Sequence, residues 1–340
     1  MEKPNFVFGS EEGFLKYYDG LKNASGISLV SHTDLDGIAS AKVVATAVNP
    51  NRIYFVNYHE LNDDLVNKLN KDNHSHVIFT DLFIKDQEFL KRVSRFSDVL
   101  VIDHHFPEYD LNKTGATFLN AQNYCAAYLS YYLFSKVKKI ESLDWLVACA
   151  CISDVQHESV SGWMNSVYQK YNEEFDGNDI KKGRFWGMVE EISMGLIYFE
   201  KPEDVYNKLG KNFGDIGDLA KYSQEVKKEI DNCISRFNKE KVEIKEGYFW
   251  EFSSKLPVKS YVTTALSFEN PDKTIIIAKK EGERYLLSAR RQDKKTSMNE
   301  LLRNLVNGFE NAEGGGHIPA AGGHIMLKDA EKFKERVKKL

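Results

Sequence analysis

Length, composition and charge exclude several broad classes of protein. The chain has 340 residues, of which 42% are hydrophobic and 28% are charged, and its net charge is −4 at pH 7. That length favours two domains in an ordinary folded protein. The negative balance argues against a general nucleic-acid coat, so any phosphate-bearing ligand must be held by a local patch or by cations.

The sequence also predicts where the protein works. No apolar run approaches the roughly 20 residues that a membrane span needs, and the first residues lack the apolar stretch of a secretory signal. The four cysteines form no CxxC pair, which favours reduced, buried thiols. We therefore expect a cytoplasmic protein that has no membrane partner.

Hydrophobic patterning predicts alternating strands and helices over residues 27–155. The predicted strands are Ile27–Ser31, Ile53–Asn57, Val77–Thr80, Val99–Ile102 and Ala116–Leu119. The predicted helices are Ile38–Ala47, Glu60–Leu69, Tyr124–Val137 and Ser142–Ile152. This order predicts a mostly parallel sheet with helices on both faces.

The rest of the chain divides into an insertion and a second α/β unit. Residues 160–215 lack strand signals and predict a mostly helical insertion, whose aromatic side chains we expect in the core rather than stacked on bases. Apolar residues three and four apart then predict a linking helix over Leu219–Lys241. The later predicted elements are strands at Tyr248–Phe252, Thr274–Ala278 and Arg284–Ala289, and helices at Ser260–Phe268, Met298–Phe309 and Asp329–Leu340.

Three of the predicted strands run directly into acids or imidazoles. These residues are His32, Asp34 and Asp36 after the first strand, Asp81 after the third, and Asp103, His104 and His105 after the fourth. Because the carboxyl ends of parallel strands meet along one edge of a sheet, we expect the three groups to share a site.

The residue types in these groups are typical of a metal site. Adjacent carboxylates raise each other's pKa unless a cation neutralises them. Imidazole together with carboxylate suits Mn²⁺, Fe²⁺, Co²⁺ or Zn²⁺ better than Ca²⁺. Asp154, which follows the apolar stretch Leu146–Ile152, is a further candidate ligand. The number of candidate acid and imidazole ligands predicts a site for two metal ions. Such a site can polarise a phosphoryl oxygen.

Taken in order along the chain, these motifs resemble those of the DHH phosphoesterases. The segment Gly314–Gly322, with the sequence GGGHIPAAG, resembles the GGGHxxAAG signature of the DHH-associated second domain, DHHA1. The resemblance implies a bilobal α/β enzyme, with an N-terminal, mostly parallel-sheet DHH domain joined by a helical linker to a smaller α/β DHHA1 domain. We place the metal-binding catalytic domain at residues 1–160, the helical insertion and linker at 161–243, and the substrate-binding domain at 244–340.

The resemblance also implies a role for each candidate residue. One divalent ion, commonly Mn²⁺ with Mg²⁺ or Co²⁺ as alternatives, would be held by His32, Asp34 and Asp81; a second would be held by Asp36, Asp81, His104 and Asp154. The catalytic candidates are Asp103, which would orient its neighbours, and His105, which would face the scissile phosphate. The substrate-binding candidates are Gly315, Gly316, His317 and Arg290, with Arg291 as the competitor of Arg290 for contact with a phosphate.

Members of this family hydrolyse different phosphate compounds. The segment Gly314–Gly322 argues against the family II pyrophosphatases, and the length leaves little room for the OB-type domain of the large RecJ exonucleases. The first motif looks closer to nano-RNase B and archaeal RecJ-like proteins. We therefore predict a metal-dependent phosphodiesterase or exonuclease that hydrolyses short or single-stranded oligonucleotides to nucleoside monophosphates. The alternatives are a cyclic dinucleotide phosphodiesterase and a non-catalytic scaffold in a nucleic-acid-processing complex; the oligomeric state stays open, a homodimer included.

Overall fold

A computed structural model describes residues 1–340, which fold into two compact units, residues 1–220 and 221–340. The strands of the first unit are β1 (Ile27–Ser31), β2 (Arg52–Phe55), β3 (His76–Thr80), β4 (Asp98–Asp103) and β5 (Thr117–Asn120). Its helices are α1 (Glu11–Gly20), α2 (Leu35–Val48), α3 (Asp63–Asp72), α4 (Gln87–Val93), α5 (Ala126–Phe134), α6 (Asp144–Ser153), α7 (Ser161–Lys170), α8 (Gly183–Phe199) and α9 (Pro202–Lys208).

The five strands of the first unit form a parallel sheet that is covered on both faces. Successive side chains of a strand point to opposite faces. In β1, Leu29 packs with residues of α1, α2, α5 and α6, whereas the next residue, Val30, packs with residues of α3 and α4. Both side chains are fully buried. This double burial explains the continuous apolar runs in the sequence and confirms the predicted α/β architecture.

The strand order, β2-β1-β3-β4-β5, reverses its direction between β1 and β3. The chain leaves β1 toward β2 at one edge, then returns to build the other three strands on the opposite side. In open parallel sheets, ligands bind outside the carboxyl ends of the strands at such a reversal. The loops that follow β1, β3 and β4 meet at this place, and they are the loops that carry the acidic and imidazole residues.

Residues 160–215 are mostly helical, as predicted, and contain α7, α8 and α9. Trp163, Tyr168 and Phe185 are buried in the same apolar cluster as α5 and α6, so these aromatic side chains serve the core. All four cysteines are buried, and none takes part in a disulfide. None of the helices is both long enough and apolar enough to cross a membrane.

The second unit contains a mixed sheet with the order β10-β11-β9-β8-β7-β6, in which only β7 and β8 pair in parallel. Its helices are α10 (Leu219–Glu240), which begins at the end of the first unit, α11 (Lys259–Glu269), α12 (Met298–Val306) and α13 (Ala330–Lys338). Its strands are β6 (Val242–Ile244), β7 (Gly247–Phe252), β8 (Thr274–Glu281), β9 (Arg284–Arg290), β10 (Glu313–Gly316) and β11 (Ala320–Met326).

Sequence patterning did not predict α1, α4, β6, β10 or β11. The two strands β10 and β11 form a hairpin across the glycine-rich segment, which pairs through β11 with β9. Glycine has low strand propensity, so partners elsewhere in the sheet, rather than local preference, make this segment extended. The domain boundaries predicted at residues 160 and 243 stay predictions.

Candidate metal centre

The turn from β1 into α2 presents the first group of candidate ligands. Asp34 is the N-cap of α2, and its side chain accepts a hydrogen bond from the backbone N–H of Gly37 at 3.0 Å. A Cβ atom at position 37 would lie 2.3 Å from the carbonyl oxygen of His32, so the turn requires glycine. Asp36, in the first helical turn, is only 1% exposed. The capped start of α2 therefore follows β1 directly and keeps His32, Asp34 and Asp36 at the carboxyl end of that strand.

The other candidates follow neighbouring strands or end a helix. Asp81 comes directly after β3 with a φ of 58°, a left-handed conformation that aspartate tolerates. Asp103 is the last residue of β4, and His104 and His105 follow it. Asp154 is the C-cap of α6, the helix whose apolar stretch precedes it in the sequence.

These residues form one cluster around His104 and Asp81. Nε2 of His104 lies 3.3 Å from Oδ1 of Asp81, 3.4 Å from Oδ2 of Asp154 and 3.7 Å from Oδ2 of Asp36. On the other side of Asp81, its Oδ2 lies 3.7 Å from Nδ1 of His32. Asp81 thus contacts both imidazoles, one through each carboxylate oxygen.

Within the cluster, the potential ligand atoms group into sets that lie within 4.8 Å of one another. The sets are His32, Asp34 and Asp81; Asp36, His104 and Asp154; and Asp81, Asp103, His104 and His105. The structure therefore brings together all the residues predicted as metal ligands, although their roles as ligands stay predictions.

Crowding and burial change the ionisation of these carboxyl groups. Burial, followed by the charge of Asp34, raises the pKa of Asp36 to about 7. Burial, followed by the charge of Asp36, raises the pKa of Asp154 to about 7. Burial and the charges of Asp36 and Asp34 raise the pKa of Asp81 well above its usual range. Burial also acts to raise the pKa of Asp34, but the hydrogen bond and charge of His32 outweigh it, and that pKa falls to about 2.

The donor set fits a divalent cation. Oδ2 of Asp81 is buried and accepts no hydrogen bond, which is costly for a carboxylate that lacks a positive partner. Burial lowers the pKa of His104, which favours the neutral imidazole that metals bind. A cation between these groups would remove the mutual repulsion of the acids and satisfy the orphaned oxygen.

Asp36 is held by a part of the chain that sequence reasoning missed. The backbone N–H groups of Ala126 and Ala127 donate to its Oδ2 and Oδ1, each at 2.7 Å. These two groups begin α5, where they would otherwise lack partners. Only the packing of α2 against α5 brings them to the site, so no local motif could have indicated them.

The two catalytic candidates are hydrogen-bonded to each other. Nδ1 of His105 lies 2.8 Å from Oδ1 of the buried Asp103. Burial lowers the pKa of His105, but the hydrogen bond and charge of Asp103 outweigh it, so the pKa is raised. This contact directs Nε2 of His105 away from Asp103, toward the hydroxyl of Tyr58 at 3.1 Å. Tyr58 was not recognised from the sequence, because a lone tyrosine in a loop carries no motif.

In the second unit, the candidate phosphate-binding residues lie at one end of the sheet. Ala320, the first residue of β11, pairs with Arg290 at the end of β9, and the backbone N–H of His317 donates to the carbonyl of Ala320 at 2.8 Å. Gly316 has a φ of 151°, and a Cβ there would lie 2.4 Å from the Ala320 carbonyl oxygen. Its N–H donates to Oδ1 of Asn299 at 3.1 Å, a contact that the sequence did not indicate.

The structure distinguishes the two competing arginines. Arg291 is 8% exposed and makes ion pairs with Glu246 at 2.7 Å and with Asp293 at 2.8 Å. Arg290, by contrast, has a buried Nε with no hydrogen-bond partner. Arg291 therefore has a structural role, while Arg290 retains unused donors for a ligand.

Comparison with known proteins agrees with this architecture. The N-terminal domain of the DHH family matches residues 26–152, and the DHHA1 domain matches residues 254–340. The chain therefore carries a DHH domain in its first unit and a DHHA1 domain in its second unit. The comparison with curated proteins found no match to this sequence.

Several solved structures share the fold at low sequence identity. RecJ from Thermus thermophilus, in complex with Mn²⁺, is 12% identical with a TM-score of 0.69; the match covers 97% of this chain and 54% of that one. An exonuclease RecJ bound to manganese is 14% identical with a TM-score of 0.70, covering 99% and 94% of the two chains. The pGpG-specific phosphodiesterase PggH from Vibrio cholerae is 13% identical with a TM-score of 0.52, covering 92% and 98%. At these identities the likeness establishes the fold alone, and this chain spans about half the length of the Thermus RecJ.

Proposed function

We propose that this chain is a metal-dependent phosphodiesterase that hydrolyses short or single-stranded oligonucleotides to nucleoside monophosphates. The observation that carries the proposal is the buried cluster around His104 and Asp81, in which three acids with raised pKa values face one imidazole. A non-catalytic scaffold has no need to maintain such repulsion in its interior.

Two divalent ions are assigned to the cluster, Mn²⁺ by preference and Mg²⁺ or Co²⁺ as alternatives. The residues assigned are His32, Asp34 and Asp81 for one ion, and Asp36, Asp81, His104 and Asp154 for the other. When bound, ions in such a site polarise a phosphoryl oxygen and offset the negative charge of the phosphate. The Mn²⁺-bound RecJ structures with the same fold support the choice of metal.

The side chains beside the cluster supply proton chemistry. Asp103 holds His105 by Nδ1, so Nε2, which lies 3.1 Å from the hydroxyl of Tyr58, is the nitrogen that would face a scissile phosphate. Burial acts to lower the pKa of His105, but the hydrogen bond and charge of Asp103 outweigh it and raise that pKa, which favours the protonated form relative to an ordinary histidine. His105 would donate its proton to the leaving oxygen as the P–O bond breaks, or would remain protonated and stabilise the negative charge of the phosphate.

The second unit would hold a phosphate of the nucleotide. Arg290 presents a guanidinium nitrogen, Nε, that has no partner in the protein, and the neighbouring turn at Gly315, Gly316 and His317 adds the imidazole of His317. The two glycines have no side chains, so a phosphate can approach the turn closely. Arginine donors suit phosphate oxygens.

The preference for short substrates rests on charge. Binding a long strand requires an extended basic track, whereas this chain has a net charge of −4. The fold shared with a pGpG-specific phosphodiesterase is compatible with a dinucleotide substrate, and the fold shared with RecJ exonucleases is compatible with a single strand.

The test is hydrolysis by the full chain with Mn²⁺, comparing a linear dinucleotide, a long single strand and a cyclic dinucleotide. We expect nucleoside monophosphate from the dinucleotide, fastest among the three, and loss of turnover when EDTA removes the metal. Equal or faster turnover of the long strand would reject the short-substrate preference, and sole cleavage of the cyclic dinucleotide would favour that alternative.

Variants separate an enzyme from a scaffold. Asp36→Ala and Asp103→Ala should abolish hydrolysis while circular dichroism shows a folded protein. Asp64→Asn, on the exposed first turn of α3, is the matched control and should retain full activity. Activity that survives both site substitutions would show that the site is assigned wrongly.

A further inference from the structure

An aromatic-walled pocket lies beside His105 in the first unit. It has a volume of about 370 Å³, and its walls include Tyr58, Leu61, Phe83, Ile84 and Phe89. These residues come from the loop after β2, the loop after β3 and the start of α4. The volume falls within the roughly 300–1,000 Å³ of small-molecule sites.

Two rings of the pocket contact the candidate metal centre directly. The ring of Tyr58 stacks on that of His32, with 4.6 Å between centroids and 16° between planes, while its hydroxyl lies 3.1 Å from Nε2 of His105. The ring of Phe83 stacks on His105 at 5.9 Å and 23°. A molecule bound at His105 would therefore lie next to Tyr58 and Phe83, the two rings that also line the pocket.

The chemistry of the walls restricts what can occupy the pocket. Most of the lining side chains are apolar or aromatic and suit a flat aromatic ring, while His59, Lys85 and Asp86 add polar groups to the lining. Nζ of the exposed Lys85 lies over the ring of Phe83, 5.0 Å from its centroid, and this long side chain can turn to meet a polar edge of the occupant. An occupant that is flat, apolar on its faces and polar at its edge matches a nucleobase.

We propose that this pocket holds the nucleobase of the nucleotide whose phosphate lies against His105. The inference rests on the proposed function, since it assumes a nucleotide substrate, and it adds a base-binding subsite in the first unit. Stacking on Tyr58 and Phe83 accepts any base, because every base has a π-face. The site would therefore select nucleotides over base-free phosphate esters while discriminating weakly among bases.

Measuring the binding of a reaction product tests the base-binding subsite without depending on catalytic turnover. The probe is adenosine 5′-monophosphate, titrated calorimetrically into the Mn²⁺-loaded full chain, with ribose 5-phosphate as the base-free counterpart. In Phe83→Leu, which keeps an apolar side chain but removes the ring, we expect at least a fivefold loss of affinity for the nucleotide. Affinity for ribose 5-phosphate should stay unchanged, because its phosphate contacts are intact.

The matched control is Phe96→Leu. Phe96 is a half-buried phenylalanine that packs against the apolar cluster containing Ile84 and Phe89, but it precedes β4 and so lies at the opposite end of that strand from His105. The Phe96→Leu variant should bind adenosine 5′-monophosphate and ribose 5-phosphate with wild-type affinity. Equal loss in both variants, unchanged nucleotide affinity in Phe83→Leu, or no binding of the nucleotide to the wild type would overturn the base-binding subsite.

A second measurement needs no variant, in case Phe83→Leu fails to fold. Photolysis of 8-azidoadenosine monophosphate with the wild type, followed by peptide mapping, should label residues 58–61 or 83–89. Labelling confined to residues 254–340 would place the base elsewhere and overturn the inference. Hydrolysis of the dinucleotide, measured in parallel, judges the proposed function independently: hydrolysis without labelling of the pocket rejects only the subsite.

Discussion

The carboxylate of Asp36 accepts a hydrogen bond from the backbone N–H of Ala126 at 2.7 Å, and 90 positions separate the two residues in the chain. Asp36 lies in the first turn of α2, and Ala126 is the first residue of α5. The same carboxylate lies 3.7 Å from Nε2 of His104. One buried acid therefore connects the candidate metal centre with the packing of two core helices.

Replacing Asp36 by asparagine should separate these two roles. The amide oxygen of Asp36→Asn can still accept one of the two hydrogen bonds from α5, while its NH2 group cannot accept the other, so we expect a folded protein of lower stability. Without the negative charge, Mn²⁺ affinity should fall by about 10–100-fold or more, since even changes to groups around a metal's ligands cost that much. Calorimetric Mn²⁺ titration measures the loss, with Asp64→Asn as the control; wild-type affinity in Asp36→Asn would contradict the assignment.

The raised pKa of Asp154 makes the stability of the metal-free protein depend on pH. Its pKa is about 7 in the folded state because of burial and the charge of Asp36, against about 3.9 in an unfolded chain. Between these values the folded state binds a proton that the unfolded state has released, so the free energy of unfolding falls as pH rises. This penalty is absent at pH 4 and complete above pH 7.

The variant Asp154→Asn removes that penalty. In EDTA, we expect it to gain stability relative to the wild type between pH 4 and pH 8, by more than about 1.4 kcal/mol, the equivalent of one pKa unit. Urea unfolding at the two pH values measures the difference. With Mn²⁺ at pH 8 the order should reverse, because the wild type gains the binding energy of the metal. A difference that does not change with pH would show that Asp154 is not perturbed by its neighbours.

Asp103 should act through His105. In Asp103→Asn, the pKa of His105 should fall, because the negative charge that helps to outweigh its burial is lost even though the amide oxygen can still accept from Nδ1. If protonated His105 assists hydrolysis, the decline of activity at high pH should move to lower pH, and kcat should drop by roughly 10²–10⁴-fold. The pH–rate profile and the NMR titration of His105 provide the measurements. A large drop in kcat with an unchanged profile would indicate that Asp103 affects the metal rather than His105.

The adjacent arginines of the second unit should respond in opposite ways. Arg290→Ala should raise KM about tenfold or more, as expected for a lost charged phosphate contact of ~1.5–3 kcal/mol, with little change in stability. Arg291→Ala should lower the free energy of unfolding by about 1–3 kcal/mol through its lost bonds to Glu246 and Asp293. Steady-state kinetics and urea unfolding on both variants test this contrast; a KM effect at Arg291 alone would exchange the two roles.

Prediction from sequence succeeded where local pattern and tertiary environment agree. The strand Ile27–Ser31 is found at the predicted bounds, because five buried residues in a row suit only a strand covered on both faces. The hairpin of β10 and β11 was missed for the opposite reason, since its glycines carry no strand preference and become extended through pairing with β9.

By itself, the sequence determined the class of fold, the carboxyl-end loops that carry the acids and imidazoles, and the two family motifs, because each of these depends on residues close together in the chain. The tertiary structure alone decided the strand order, the sharing of Asp81 between His32 and His104, the support of Asp36 by α5, and the ion pairs that occupy Arg291. It also placed Tyr58 and Phe83 against the imidazoles. Those relationships join residues tens of positions apart, and the packing of helices and strands, which no local pattern encodes, brings them within contact distance.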